Sequence, residues 1–513
     1  MMDSEKTSKE ATGIRNAPEK LGLGGRLSFL AKDSMIYGGA RALMQALSFI
    51  TFPIMVRHFD VAQYGIIDFY GVSGELLAIF LAFSLDQGIA RFFYDREHVD
   101  HRRNVITQGL LLNSVLIVPT VIGIFLLSGH LTDFVPDSPD TEMLITLTIW
   151  CAPFQVVVAQ ALAICKWTFA RKRYLVLTLG SSVLRLGLLL LLILEFEVGV
   201  VGIFWMNLGI SVVTAVTGVL FTFPWLRIPK QLNLIWKMAS FTFPLWLITT
   251  MSSLGPFIER FITENLFGDT ALGEYSAGAK VALLINLQLS AFMLAWDPIA
   301  YAIHRETNSS LTYSVVLKLF TLGAWTIALA LGAFSPIILW VLAPPSYATG
   351  AIVTLPLAVG FTLMGIQRII NIGVTIKKRT YLRLPSFVAG IAIGFPAIYF
   401  LGREYGILGV ALGAVVMKTI ELLISIWINV KIYPIQWPVK QVAAGCIIGL
   451  LMGLFMGLSR FLLPNAWGHA LACFWVMTFI VFGTLLVLNR NERRAIFDKA
   501  HMLIRISRPK SAP

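Results

Sequence analysis

Apolar residues in this chain run in long unbroken windows, and short polar clusters punctuate them. This differs from the three-to-four-residue spacing of a half-buried soluble helix. Reading the windows between the punctuation predicts fourteen helical spans, near 33–57, 66–86, 105–130, 142–165, 174–196, 199–222, 241–262, 272–301, 314–342, 350–376, 384–402, 407–430, 439–463 and 466–488. Helical crossing of a hydrocarbon core takes about 20 residues, and nearly every window meets that length. The pattern therefore predicts an all-α polytopic membrane protein.

The windows also repeat. Arg171-Lys172-Arg173-Tyr174-Leu175, before span 5, returns as Lys378-Arg379-Thr380-Tyr381-Leu382 before span 11. The same offset relates Gln160 to Gln367, Glu197 to Glu404, and Gly199-x-x-Gly202 to Gly406-x-x-Gly409. Earlier in each half the register drifts, yet Pro53-x-x-x-Arg57 parallels Pro256-x-x-x-Arg260, and Asp86 parallels Asp297. Spans 1–6 and 7–12 thus read as two parallel six-helix repeats, because an even number of crossings keeps both copies in one orientation. The expected organisation is a tail over 1–32, a first lobe over 33–223, a second over 241–430, two extra helices over 439–488 and a basic tail over 489–513. A pseudo-twofold axis along the membrane normal puts the expected site between the lobes, and two rocking lobes suggest alternating access.

Composition agrees: 57% of residues are hydrophobic and only 13% charged, against about 25% in soluble domains, which excludes a soluble enzyme. The net charge of +13 is first a matter of topology. With the N-terminus inside, thirty-two of the 41 Lys and Arg fall in inner loops and tails. Only Arg57, Arg260, Arg403 and Arg460 fall outside, and Asp133, Asp137, Asp140 and Glu142 make an outer loop acidic. The expectation is a multi-pass protein of the cytoplasmic (inner) membrane with both termini cytoplasmic. Residues 1–30 lack the apolar run of a signal peptide, and the basic C-terminal end reads as an inside anchor that can also lie on anionic lipid.

Familiar catalytic chemistry is missing. The sequence holds no G-x-x-x-x-G-K-[ST] loop, no H-E-x-x-H and no D-x-D pair, and its seven histidines include no helical i, i+4 pair. Cys151, Cys165, Cys446 and Cys473 sit in apolar stretches as core thiols, without metal-site spacing. The sequon Asn308-Ser309-Ser310 lies in an inner loop and carries no expected role. No cofactor, metal or nucleic-acid partner is expected.

The informative residues are charges inside spans, each costing about 2.5–3.5 kcal/mol near a helix centre unless it faces a wet cavity or a partner. Five cations stand out: Arg41 on span 1, Arg185 on span 5, Arg260 at the outer end of span 7, Lys280 on span 8 and Arg368 on span 10. They predict a cationic cavity for an anionic substrate, because guanidinium groups match phosphate oxygens. The competing reading is that they pair with Asp68, Glu75 and each other. Asp68 and Glu75, seven apart on one face of span 2, are the candidates for coupling to H+ or Na+. Lys418 and Glu421 read as a structural i, i+3 pair, while Glu259, Asp86 and Asp297 read as loop anchors near water. Span 13 carries Gly445, Gly449, Gly453 and Gly457 as a flat ridge, suited to packing on span 14 or the second lobe, to a lipid-tail groove or to a dimer contact.

The local wording resembles the polysaccharide transporter family of the multidrug/oligosaccharidyl-lipid/polysaccharide exporter superfamily, the O-antigen and capsule flippases. Lys32-Asp33-Ser34, Tyr37-Gly38, Phe52-Pro53, Tyr64-Gly65 and Leu85-Asp86-Gln87-Gly88-Ile89-Ala90-Arg91-Phe92-Phe93-Tyr94 are similar to its first repeat. Glu259-Arg260-Phe261-Ile262, Gly273-Glu274-Tyr275-Ser276-Ala277 and Tyr405-Gly406-Ile407-Leu408-Gly409-Val410-Ala411 are similar to its second. The resemblance implies that an undecaprenyl-diphosphate-linked oligosaccharide is flipped to the outer leaflet through a cationic cavity, with Arg41 and Arg260 as the best positional matches to family arginines. Membrane lipids, and a polysaccharide polymerase or chain-length proteins, are the implied partners, and cation coupling the implied drive. A lipid-II flippase, a multidrug or cation antiporter and a membrane glycan polymerase or ligase are the alternatives. Short outer loops weigh against the last.

Overall fold

The computed structural model describes residues 23–494 except 97, 133–134, 137, 197, 230–231, 305–308, 378, 434 and 464–465. The predicted N-terminal tail up to residue 22, the basic end beyond 494, Glu197, Lys378, Asn308 and the side chain of Arg41 lie outside the described residues.

Among the described residues, 12 helical segments are long and apolar enough to cross a membrane. Two of them are double-length: Ile235–Tyr301 has 67 residues and Thr380–Ile432 has 53. At a rise of about 1.5 Å per residue they would reach roughly 100 and 80 Å, far beyond a core about 30 Å thick. Each is broken by one glycine with left-handed φ, Gly268 at 75° and Gly406 at 62°. Side-chain residues adopt that φ only at a cost, so these glycines allow helices to turn back with almost no loop. The Tyr275 hydroxyl donates to Glu259 Oε2 across the first turn, and Gly413 lies against Ile398 across the second. Spans 7 and 8, and spans 11 and 12, are therefore hairpins, and the described residues hold fourteen helices of the kind predicted to cross a membrane.

Observed boundaries follow the apolar windows within several residues, as for Thr141–Trp167 (span 4), Arg171–Phe196 (span 5) and Val200–Trp225 (span 6). Span 9 begins earlier than expected, Ser309–Leu342, and Lys318 lies buried inside the helix. Its ammonium meets both oxygens of Glu492 at 2.9 and 3.1 Å, tying span 9 to the segment after span 14.

Both halves break their second span. Span 2 runs as Val61–Ala82 and Leu85–Phe93, with Phe83 and Ser84 at left-handed φ between them. Span 8 breaks between Ala282 and Ile285. The two second spans also meet. A Cβ on Gly65 would come within 2.6 Å of the Asp269 carbonyl, and one on Gly273 would collide with the Val61 carbonyl. Reciprocal glycines thus bring the lobes to backbone contact at the predicted outer end. Further along span 2, Ser84 Oγ and Thr249 Oγ1 share a hydrogen bond of 2.9 Å, and Trp246 donates to the Phe80 carbonyl at 2.8 Å.

Spans 13 and 14 (Val439–Leu462 and Trp467–Val487) pack on each other and on span 9. The glycine ridge is part of this seat: Gly449 lies flat under the ring of buried Trp325, and Gly445 and Gly453 face Thr321 and Leu355. Of the three readings of the ridge, packing on the second lobe accounts for these glycines.

Candidate functional site

A cavity of about 260 Å³ lies where spans 1, 2, 5 and 6 of the first lobe face span 8 of the second. Its polar lining includes Thr51, Asp68, Glu75, Arg185, Asn207 and Lys280. A second space of about 320 Å³ adjoins it, sharing Ser48, Glu75 and Lys280 and adding Gln45 and Asn286. Four of the seven residues singled out from the sequence, Asp68, Glu75, Arg185 and Lys280, therefore meet in one place.

Each reaches it for a local reason. Arg185 follows a single turn of π-helix, Val176–Gly180, which shifts the face that span 5 presents. Its Nη1 donates to Asn207 Oδ1 of span 6 at 2.8 Å, and both residues line the cavity. Lys280 sits on the last turn of span 8 before its break. Glu75, seven residues beyond Asp68, lies on the same face of an unbroken stretch of span 2. Neither Glu75 nor Lys280 forms an ion pair among the described residues.

Arg260 is placed differently. It is buried, its Nε donates to Asp68 Oδ2 at 3.1 Å and its Nη1 to Glu259 Oε2 at 3.2 Å, and its guanidinium lies 5.4 Å from the Tyr275 ring centre. For this arginine the pairing alternative describes the geometry. Glu259 is corrected as well: expected near water, it is 7% exposed, because the helix of span 7 continues two turns past it to Gly268. Two carboxylates and one guanidinium thus share a dry site, with Tyr275 completing the hydrogen bonds.

Arg368 lines a separate cavity in the second lobe, 3.4 Å from Asp297, and both are about half exposed. Lys418 and Glu421 are the expected i, i+3 pair at 2.9 Å. Nearby, Gln367 Nε2 donates to Ser425 Oγ at 3.0 Å, so the glutamine of the repeat serves to join spans 10 and 12. Asn207 and Tyr275 were not singled out from the sequence. A lone amide in span 6 was the available signal for the first, since buried polar groups in a membrane require partners; the second stood within the Gly273-Glu274-Tyr275-Ser276-Ala277 stretch without a role assigned to it.

No group of three or more His, Cys, Asp or Glu suited to a metal occurs among the described residues. What the arrangement offers is a space between two lobes, with cations from both walls and, among the described residues, one carboxylate, Glu75, outside any ion pair.

Several solved structures share this architecture. The lipid II flippase MurJ in an inward closed conformation aligns with a TM-score of 0.63 at 14% identity, over 88% of this chain and 98% of that one. An inward-facing multidrug resistance MATE family transporter of the MOP superfamily gives 0.58 at 17% identity, over 82% and 97%. A mutant of the Vibrio cholerae MATE transporter VcmN gives 0.53 at 16%, over 79% and 97%. At such identities the likeness shows the fold. No curated protein sequence matches the chain. The family model described as polysaccharide biosynthesis protein matches residues 30–304, more than half of the sequence, and the chain belongs to that family.

Proposed function

We propose that this protein is a flippase that carries a lipid-linked, undecaprenyl-diphosphate-bearing oligosaccharide across the cytoplasmic membrane by alternating access, for surface polysaccharide biosynthesis. The observation that carries the reading is the cavity between the lobes, where Arg185 of the first lobe and Lys280 of the second face the same space. Cations on opposite walls draw in a diphosphate, and the attraction is stronger in a space walled by low-dielectric helices than in bulk water. Ser48, Thr51, Asn207, Gln45 and Asn286 supply hydrogen bonds of the kind sugar hydroxyls accept and donate. No reaction on the substrate is involved. Glu75 is the carboxylate available for coupling to H+ or Na+, since Asp68 is engaged by Arg260.

Complementation of a flippase-deletion strain tests the reading. Wild type should restore surface glycan, and an Arg185→Gln, Lys280→Gln double variant should not, at equal protein level. Full restoration by that variant would overturn the cationic-cavity mechanism, and increased dye sensitivity of the deletion strain without glycan loss would favour a drug antiporter.

A further inference from the structure

A further cavity of about 400 Å³, lined mostly by the second lobe with Gln87 of span 2 at its wall, lies near the ends of spans 8, 10 and 11 that carry the inner loops in the predicted orientation. It shares no lining residue with the two spaces between the lobes. Its ionisable lining is Asp297 and Tyr301 from span 8, Arg368 from span 10, Arg383 from the start of span 11, and Lys418 and Glu421 from span 12.

The charges in this cavity do not balance. Lys418 and Glu421 neutralise each other at 2.9 Å. Asp297 reaches Arg368 at 3.4 Å through a single, half-exposed contact, too long and too solvated to satisfy a guanidinium. Arg383 forms no ion pair among the described residues. Its Nε is fully buried and has no hydrogen-bond acceptor, and its guanidinium lies 5.9 Å from the Phe387 ring centre. A buried charged donor without an acceptor carries a desolvation cost, and here, unlike at Arg103, Arg460 and Arg493, it stands in a cavity with a second guanidinium. Arg368 and Arg383 line the same cavity from spans 10 and 11, and like charges sharing one low-dielectric space repel. Two guanidinium groups converging on one cavity, one weakly partnered and one carrying an orphaned donor, lack a species with several acceptor oxygens and at least one negative charge.

The geometry points to a binding site for a phosphate or diphosphate group between Arg368 and Arg383. Phosphate oxygens satisfy planar guanidinium forks bidentately, and an anion placed between the two arginines turns their repulsion into attraction. Placed near the predicted inner surface, the site takes lipid phosphate from the cytoplasmic leaflet. It deepens the flippase reading, and rests on it for one point only: that the diphosphate of the carried lipid is the cargo-side source. The headgroup of an anionic phospholipid presents the same chemistry. Bound here, a diphosphate would be held mainly by second-lobe residues, with Gln87 of span 2 at the cavity wall, apart from Arg185 and Lys280.

Arginine-directed modification with phenylglyoxal, read peptide by peptide by mass spectrometry on the full chain in phosphatidylcholine nanodiscs, tests the site. Arg383 and Arg368 should react without added anion, and inorganic pyrophosphate should protect both, while Arg403 stays unprotected. In an Arg368→Gln variant the pyrophosphate concentration that half-protects Arg383 should rise about tenfold, the loss of one charged hydrogen-bonding partner. Protection by phosphatidylglycerol in the nanodisc without pyrophosphate would assign the site to a lipid headgroup; protection by pyrophosphate alone would assign it to a diphosphate. An Arg383 that does not react, or that no anion protects, overturns the proposal. That result would leave the flippase reading standing, because glycan complementation by the Arg185 and Lys280 variants tests it separately.

Discussion

Asp68 on span 2 and Arg260 on span 7, separated by 192 residues, meet at 3.1 Å where the two lobes touch. Glu259 and Tyr275 close the group from the second lobe's side, so the first lobe contributes one carboxylate to a cluster otherwise owned by its partner. The contact therefore joins the lobes at the predicted outer end, beside the reciprocal glycines Gly65 and Gly273.

Removing the guanidinium leaves two buried carboxylates without a counter-charge. Arg260→Ala should destabilise the folded protein by about 3–5 kcal/mol. Thermal unfolding in detergent would show it, and an Asp68→Asn background should recover part of the loss, because one of the stranded charges is then gone. Additive losses in the double variant would mean that the pair is not coupled.

The glycine crossing gives a second expectation. Gly273→Ala puts a methyl group into the Val61 carbonyl, whereas Gly123→Ala meets nothing within 4 Å. The first should cost about 1–3 kcal/mol through forced backbone movement, and the second should be neutral or slightly stabilising. Equal melting temperatures for the two variants would contradict the close approach of spans 2 and 8.

Trp325 and Gly449 predict how the last two helices are held. Gly449→Leu should unseat spans 13 and 14 from span 9, seen as new protease cleavage near residues 434–438 and a lower melting temperature. Gly457→Leu, on the same ridge with nothing within 4 Å, should leave both unchanged.

Arg185 and Asn207 are joined at 2.8 Å, so the amide orients the cation in the cavity. Asn207→Leu should therefore reduce glycan export less than Arg185→Gln and more than a cavity-remote control such as Gly123→Ala. Surface glycan measured at matched expression would rank the three.

Much of this was legible in the chain. Hydropathy gave fourteen spans because a membrane helix needs length and apolarity more than any particular neighbour, and the turns at Gly268 and Gly406 left helices continuous in hydrogen bonding yet separable in sequence. The repeat was readable from a constant offset in the later spans. Which in-span charges face water was not readable. Arg260 and Lys280 look alike as isolated cations, and only the crossing of spans 2 and 7 brings Asp68 to the first and not to the second. Arg383 escaped notice for a related reason: a basic residue at an inner helix end reads as a topology signal, and its orphaned Nε exists only in the folded chain.

The seating of Trp325 on Gly449 makes the two lobes unequal bodies. If the lobes rock as the flippase reading proposes, six helices would move on one side and eight on the other. Rocking about a common axis in a viscous bilayer would then be shared unevenly, with the smaller body swinging through the larger arc. Distance probes on span 4 should report a wider excursion relative to the surrounding lipid than probes on span 14.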